Sequence, residues 1–387
     1  MAENKKQHFV PRFYLENFSF DGGTHTNLIR VVELKSIPGI PVAGQNQGDY
    51  FYGHELTVEK ALGPIEGESA AVIREIITRA KIAPHGTPED AILKAFVCFQ
   101  WTRTQAFSEN LDSAFSETLK LAYRGQWQRA GISNEAIDNL EIGRTEGPRE
   151  SVITGTDFIP FFWDLEPKLV FANGLGEFVT SDDPVVFLNP FYLDRAVGGV
   201  AGLSLKGVII LFPISPEYLV ILYDREVYRV GAAGQSFVPL GSLTDLVAVN
   251  NHQYLHAAKN LYHRSAAADG HIAEFGRVKK LRIEERQVVK EIPIDDGKSI
   301  LHTYEAPIRY KPPTSFMKVL KSHRGEIEPV ERIPDRDPAM SQHFQAYSEA
   351  FLKGRVRKGF LGYLAQIAVS SYGVKALDEW VKKRWTG

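Results

Sequence analysis

The chain has 387 residues, 44% of them hydrophobic and 24% charged, which excludes disordered and collagen-like classes and leaves room for one large or two ordinary domains. A formal net charge of -2 excludes a protein held to nucleic acid by overall basicity, so any such contact has to be a local patch. The single cysteine, Cys98, excludes an internal disulfide and a cysteine-built zinc site.

The opening KKQHFVPRFYLENF, residues 5 to 18, lacks the apolar core of a secretory signal. Pro11 after extended Val10 fits the first position of a short helix from Pro11 to Phe18, stopped by Ser19 and the Gly22-Gly23 pair. No run reaches about 18 uninterrupted apolar residues, so the expectation is a cytoplasmic protein with no membrane partner. Residues 27 to 36 read as a strand, after which Thr57 N-caps a helix with Val58, Leu62, Ile65, Ser69, Val72 and Ile76 on one stripe. TPED at 87 to 90 starts a second helical region, so helices are expected over 57–125.

From about residue 168 to 223 the texture turns to strands. KLVFANGLGEFVTS predicts a hairpin around a Gly-rich turn, and VVFLNP, GVIILF and YLVILY predict further strands. Helical spacing returns from Thr244 to Arg264. Beyond residue 270 come short strand-like pieces, several prolines and a final helical segment. Helices followed by clustered strands predict an α+β fold: an N-terminal helical region packed with a mainly antiparallel sheet, plus a C-terminal helical extension. The predicted division is a core domain at 1–270 and an extension at 271–387.

Six short motifs occur in order: QHFVPRFYLENF, IEGESA, WTRTQ, FVTSDDPVV, LFPISPEYL and VNN. Together they resemble the bacterial family named domain of unknown function 4238, over roughly residues 5 to 265. Where the family pattern tends to read Ser-Asp-Asn-Pro, this chain has Ser181-Asp182-Asp183-Pro184. The resemblance implies that Asp182 holds the family's aspartate and that Asp183 replaces an amide.

Arg103 shares a helical stripe with Ile92, Phe96, Phe99 and Phe107, so its guanidinium needs a carboxylate or an anion for company. It is either a buried structural ion pair or an anion clamp at the floor of a cleft. Glu66, at the border of its own helical stripe, is the nearest candidate counter-charge, and a solvated surface glutamate is the alternative. Asp182 and Asp183 point to opposite sides of an extended chain, which excludes a shared-proton dyad but leaves both turn chemistry and a working carboxylate. His252, His256 and His263 project together, yet opposite the stripe of Val247, Tyr254, Ala258 and Leu261, so they are expected to face solvent without a metal. Asn251 lies on the apolar side, a candidate cleft residue. His8 and Arg12 flank a helix start, where basic groups either anchor a segment or receive an anion.

These residues suggest an enzyme acting on phosphate-bearing substrates, a nucleotide or nucleic acid. His8, Arg12, Arg103 and Asp182 would form its catalytic set, and Glu66, Asn251 and Asp183 would bind ligand. His8 would be the general acid/base, Arg12 and Arg103 would stabilise phosphoryl charge, and Asp182 and Glu66 would orient them or hold a divalent cation as cofactor. A nuclease or nucleotide hydrolase is the economical version, and the kind of family adds an association with toxin or phage-defence effectors. The alternative is a non-catalytic ligand- or protein-binding module whose charged residues form a structural network. The four catalytic candidates are expected to converge in space. Residues 351 to 387 carry a net charge of +6, with Phe360, Leu364, Ile367 and Ser371 at helical spacing and Trp380 and Trp385 nearby. This tail is expected to be either a solvated helix or a patch for nucleic acid or an acidic partner.

Overall fold

The computed structural model describes residues 5–196, 199–266, 269–284, 286–293, 299–323, 330, 332–356 and 359–367. The chain starts with β1 (Lys6–His8), α1 (Arg12–Glu16), β2 (His25–Arg30), β3 (Lys35–Pro41) and β4 (Gln47–Asp49). The expected helix after Pro11 is therefore real but shorter, since only five residues wind before the chain turns. The helical region expected over 57–125 divides into α2 (Thr57–Arg79), α3 (Pro88–Thr102) and α4 (Gln105–Arg129). Leu56, in the left-handed region at φ 55°, precedes α2, so Thr57 is its first residue and no side chain caps it. Thr87 does cap α3, its Oγ1 accepting from the Asp90 N–H at 3.3 Å. Thr104 caps α4 in the same way, through Phe107 N–H at 3.2 Å, and this restart breaks the helix beside Arg103.

After α5 (Asn134–Asp138) and α6 (Gly147–Phe158) come β5 (Glu166–Phe171), β6 (Thr180–Ser181), β7 (Val186–Leu188), β8 (Ile209–Pro213), β9 (Tyr218–Tyr223), β10 (Tyr228–Val230) and β11 (Phe237–Pro239). A five-stranded sheet runs β11-β5-β9-β8-β7, antiparallel except where β11 meets β5. Both of its faces are covered. Ile210, Phe212, Val220 and Leu222 pack on the helical side with Phe96 and Phe162. Ile209, Leu211, Leu219 and Ile221 pack on the other side with Leu246, Val249 and Phe316. Burial on both faces explains why GVIILF and YLVILY are unbroken apolar runs.

Next are α7 (Leu243–His256) and β12 (Asn260–His263), the latter in a four-stranded antiparallel sheet ordered β3-β2-β12-β6. The expected hairpin over KLVFANGLGEFVTS does not form, because β5 pairs with β9 and β11 while β6 crosses to β12. The helix expected to reach Arg264 stops at His256, where the chain switches to strand.

The remainder comprises α8 (Asp269–Val278), the hairpin β13 (Gln287–Pro293) and β14 (Ser299–Glu305), β15 (Met317–Val319), α9 (Pro338–Leu352) and α10 (Phe360–Ile367). The α+β class holds throughout. The last third packs onto the rest: β15 pairs with β10, Arg336 grips Asp164 at 2.5 and 2.9 Å, and Ser315 N–H donates to Asp245 at 2.7 Å. Phe360 and Leu364 are buried against Phe161 and Tyr347, so the first half of the expected C-terminal stripe docks on the body. Ser371, Trp380, Trp385 and the last basic cluster lie outside the described residues. Among the described residues no helix is long and apolar enough to cross a membrane.

Candidate functional site

Arg103 ends α3 as its C-cap and is 2% exposed. Its Nη1 donates to Glu66 Oε1 at 2.6 Å, Nη2 to the His8 carbonyl at 2.6 Å, and Nε to Tyr52 Oη at 3.2 Å. Tyr52 Oη lies 3.3 Å from the carbonyls of both His8 and Arg103. Burial opposes the guanidinium charge, but Tyr52 and Glu66 outweigh it and the pKa rises. This is a closed knot that ties the N-terminal strand, α2 and the α3–α4 junction together. His8 joins it through its backbone. Its ring Nδ1 sits 3.1 Å from the Gln45 carbonyl, and burial, aided by the Arg103 charge, lowers its pKa.

The other candidates fall elsewhere. Arg12 is 55% exposed and pairs with Glu16 at 2.8 Å, one turn along its own helix, so it does not enter the Arg103 knot. Asn251 donates to Tyr310 Oη at 2.9 Å. Asp182 accepts the N–H groups of Ala258, Lys259 and Asn260 at 2.8–3.0 Å. That carboxylate satisfies the chain where α7 gives way to β12, which leaves it no free edge for a cation.

Asp183 points the other way and is 8% exposed. Its Oδ1 accepts from Thr104 Oγ1 at 3.3 Å, one residue beyond Arg103. It lines a cleft of about 70 Å³ with Trp101, Phe107, His256, Arg286 and Glu305. Burial raises both carboxyls, Asp182 to about 6 and Asp183 to about 7. Three backbone amides then pull Asp182 down, whereas Asp183 has Arg286 and Thr104 in its favour and the Asp182 and Glu305 charges against it. Of the two carboxyls, Asp183 therefore holds its proton to the higher pH.

The histidines depart most from expectation. His252 and His263 are buried and His256 is half-buried, so none of the three projects freely into solvent. The covering material comes from the last third of the chain. The His252 ring lies against Tyr310 with centroids 4.8 Å apart, and Arg286 donates to the His256 and Leu255 carbonyls at 2.5 and 3.2 Å. Burial lowers the pKa of His252 to about 3 and that of His256 well below its ordinary value, so both rings are neutral. His263 belongs to β12, not to the helix.

Tyr52, Thr104, Arg286 and Glu305 were not singled out from the sequence. Thr104 sits inside WTRTQ, and its place three residues before Phe107 in a polar break was a usable capping signal. Arg286 and Glu305 lie beyond the recognised motifs and carried none.

The six motifs are bonded to one another. Tyr14 Oη of the first donates to the Pro213 carbonyl of the fifth at 2.6 Å, and the Asn250 amide of the sixth holds the Val179 N–H and the Glu177 carbonyl at 3.1 and 2.9 Å. Neither the curated proteins nor the solved structures contain a match to this chain. One family model does match, over residues 6–267, more than half of the chain, and it covers every knotted motif. The chain belongs to the family described as Protein of unknown function (DUF4238).

Proposed function

We propose that this protein is an acid–base enzyme that hydrolyses a phosphate-bearing substrate, a nucleotide or nucleic acid, at the Asp183 cleft. The supporting observation is a buried carboxyl with a pKa near 7 that opens onto a cleft beside a guanidinium. Water attacks phosphorus as the bond to the departing ester oxygen breaks; neutral Asp183 gives its proton to that oxygen, and the carboxylate so formed takes up the proton that the attacking water releases. Arg286 offers charge to the phosphoryl oxygens, and the faces of Trp101 and Phe107 offer stacking for a base. The cleft takes a phosphoryl group, with the rest of the substrate along its mouth. The Arg103 knot acts behind this site by holding the α3–α4 junction that carries Thr104.

One observation favours a non-catalytic binding module instead: the Arg286 donors already meet the carbonyls of Leu255 and His256 and the Glu305 carboxylate. A hydrolysis screen with a phosphomonoester, a phosphodiester, ATP and single-stranded DNA separates the two. The enzyme reading expects turnover that falls as pH rises above about 7, and a loss of about 100-fold or more in Asp183→Asn with binding retained. Binding without turnover, or turnover that survives Asp183→Asn, defeats it.

A further inference from the structure

Glu177, His263 and His271 bring one ligand atom each to within 4.8 Å of one another, away from the Asp183 cleft. Glu177 and Asp183 are separated by six residues of chain, so the two places stand at most about 20 Å apart. His263 ends β12 and is fully buried, yet neither ring nitrogen has a hydrogen-bond partner among the described residues. A buried imidazole with both nitrogens unmet is costly. Its Nδ1 lies 3.7 Å from Glu177 Oε1, and His271 Nε2 lies 3.5 Å from the same oxygen. Both gaps exceed the usual N···O hydrogen-bond range of about 2.7–3.2 Å. They match two ligands of one tetrahedral ion, which at bond lengths of about 2.1 Å stand about 3.4 Å apart.

The surroundings hold the three groups in place. Both Glu177 carboxylate oxygens accept the Ser265 N–H at 3.0 Å, and the Asn250 side chain fixes the Glu177 carbonyl. His271 stacks on Phe275 at 13° between ring planes.

We infer that Glu177, His263 and His271 form a binding site for a zinc-like divalent ion. Two imidazoles and one carboxylate suit zinc or a neighbouring transition metal, whereas magnesium and calcium favour all-oxygen shells. Three protein ligands leave a fourth position for water or an anion, and His271 is the more exposed of His271 and Glu177, 19% against 11%. The site goes beyond the hydrolytic reading at Asp183 and stands or falls separately from it.

The test is metal binding by the whole chain, after chelation and desalting, with Zn²⁺ in competition with a chromogenic chelator and Co²⁺ followed by its visible spectrum. One Zn²⁺ per chain and the intense absorption of four-coordinate Co²⁺ are expected. His271→Ala, on the partly exposed side of a helix, and Glu177→Gln should each weaken Zn²⁺ by about 100-fold or more and abolish the cobalt band. A circular-dichroism melt without metal checks that each variant is folded. No stoichiometric Zn²⁺ in the folded wild type, or unchanged affinity in both variants, overturns the proposal.

Discussion

Arg103 and Asp183 stand on either side of Thr104, and they illustrate opposite fates for a buried charge. Arg103 meets a carboxylate, a phenol and a carbonyl, so each of its three side-chain nitrogens is engaged within the knot. Asp183 has one hydroxyl, a cleft in front and a charged neighbour behind it in the chain. The first arrangement spends polarity on holding three segments together. The second stores a proton at a boundary with water. Burial alone therefore does not single out a candidate site residue; an incomplete set of partners is the more telling sign.

The comparison is best broken at Arg103. Arg103→Ala should strand Glu66, the Tyr52 hydroxyl and the His8 carbonyl and lose about 3–5 kcal/mol of stability. A chemical-denaturation midpoint measures it, and a loss below about 1 kcal/mol would show that the knot is not a stabilising unit.

At Asp183 the effect should depend on pH. Its folded pKa of about 7 lies above an unfolded value near 3.8, so the native state binds the proton more tightly and loses stability as pH rises through that window. Asparagine does not titrate. Asp183→Asn should therefore gain about 2–3 kcal/mol relative to wild type between about pH 5 and pH 8. Parallel melts at the two pH values check it, and a pH-independent difference would place Asp183 among the ordinary carboxylates.

A smaller effect is expected at Gly155 on α6. A Cβ there would overlap the side chain of Thr102, the residue before Arg103. Gly155→Ala should cost about 1–3 kcal/mol through overpacking, visible as a lowered melting temperature. Arg12→Ala, removing an exposed pair with Glu16, should change stability by at most about 0.5 kcal/mol in the same melts. A large loss there would return Arg12 to the knot.

Much of this was legible in the sequence where the signal is local. The TPED cap, the apolar runs of β8 and β9 and the Arg103 stripe each follow from spacing, and Glu66 was found by its border position. What stayed hidden depends on partners far along the chain. The polar face of α7 read as solvated because its cover, Tyr310 and Arg286, comes from a segment with no periodic pattern. His263 was grouped with His252 and His256 by helical arithmetic, which cannot foresee that Asp182, about 76 residues earlier, collects the amides at the break and turns the chain into strand. The same arithmetic could not place His263 beside Glu177.

The family match stops at residue 267, whereas Arg286 and Glu305 come after it. The matched segment carries Trp101, Phe107 and Asp183, the last where the family pattern tends to place an amide, and the continuation carries Arg286 and Glu305. The cleft is therefore built from two stretches of chain, of which only one falls within the family match. Replacing residues beyond 267 with a different continuation would leave Asp183 in place but remove the Arg286 and Glu305 charges that pull its carboxyl in opposite directions.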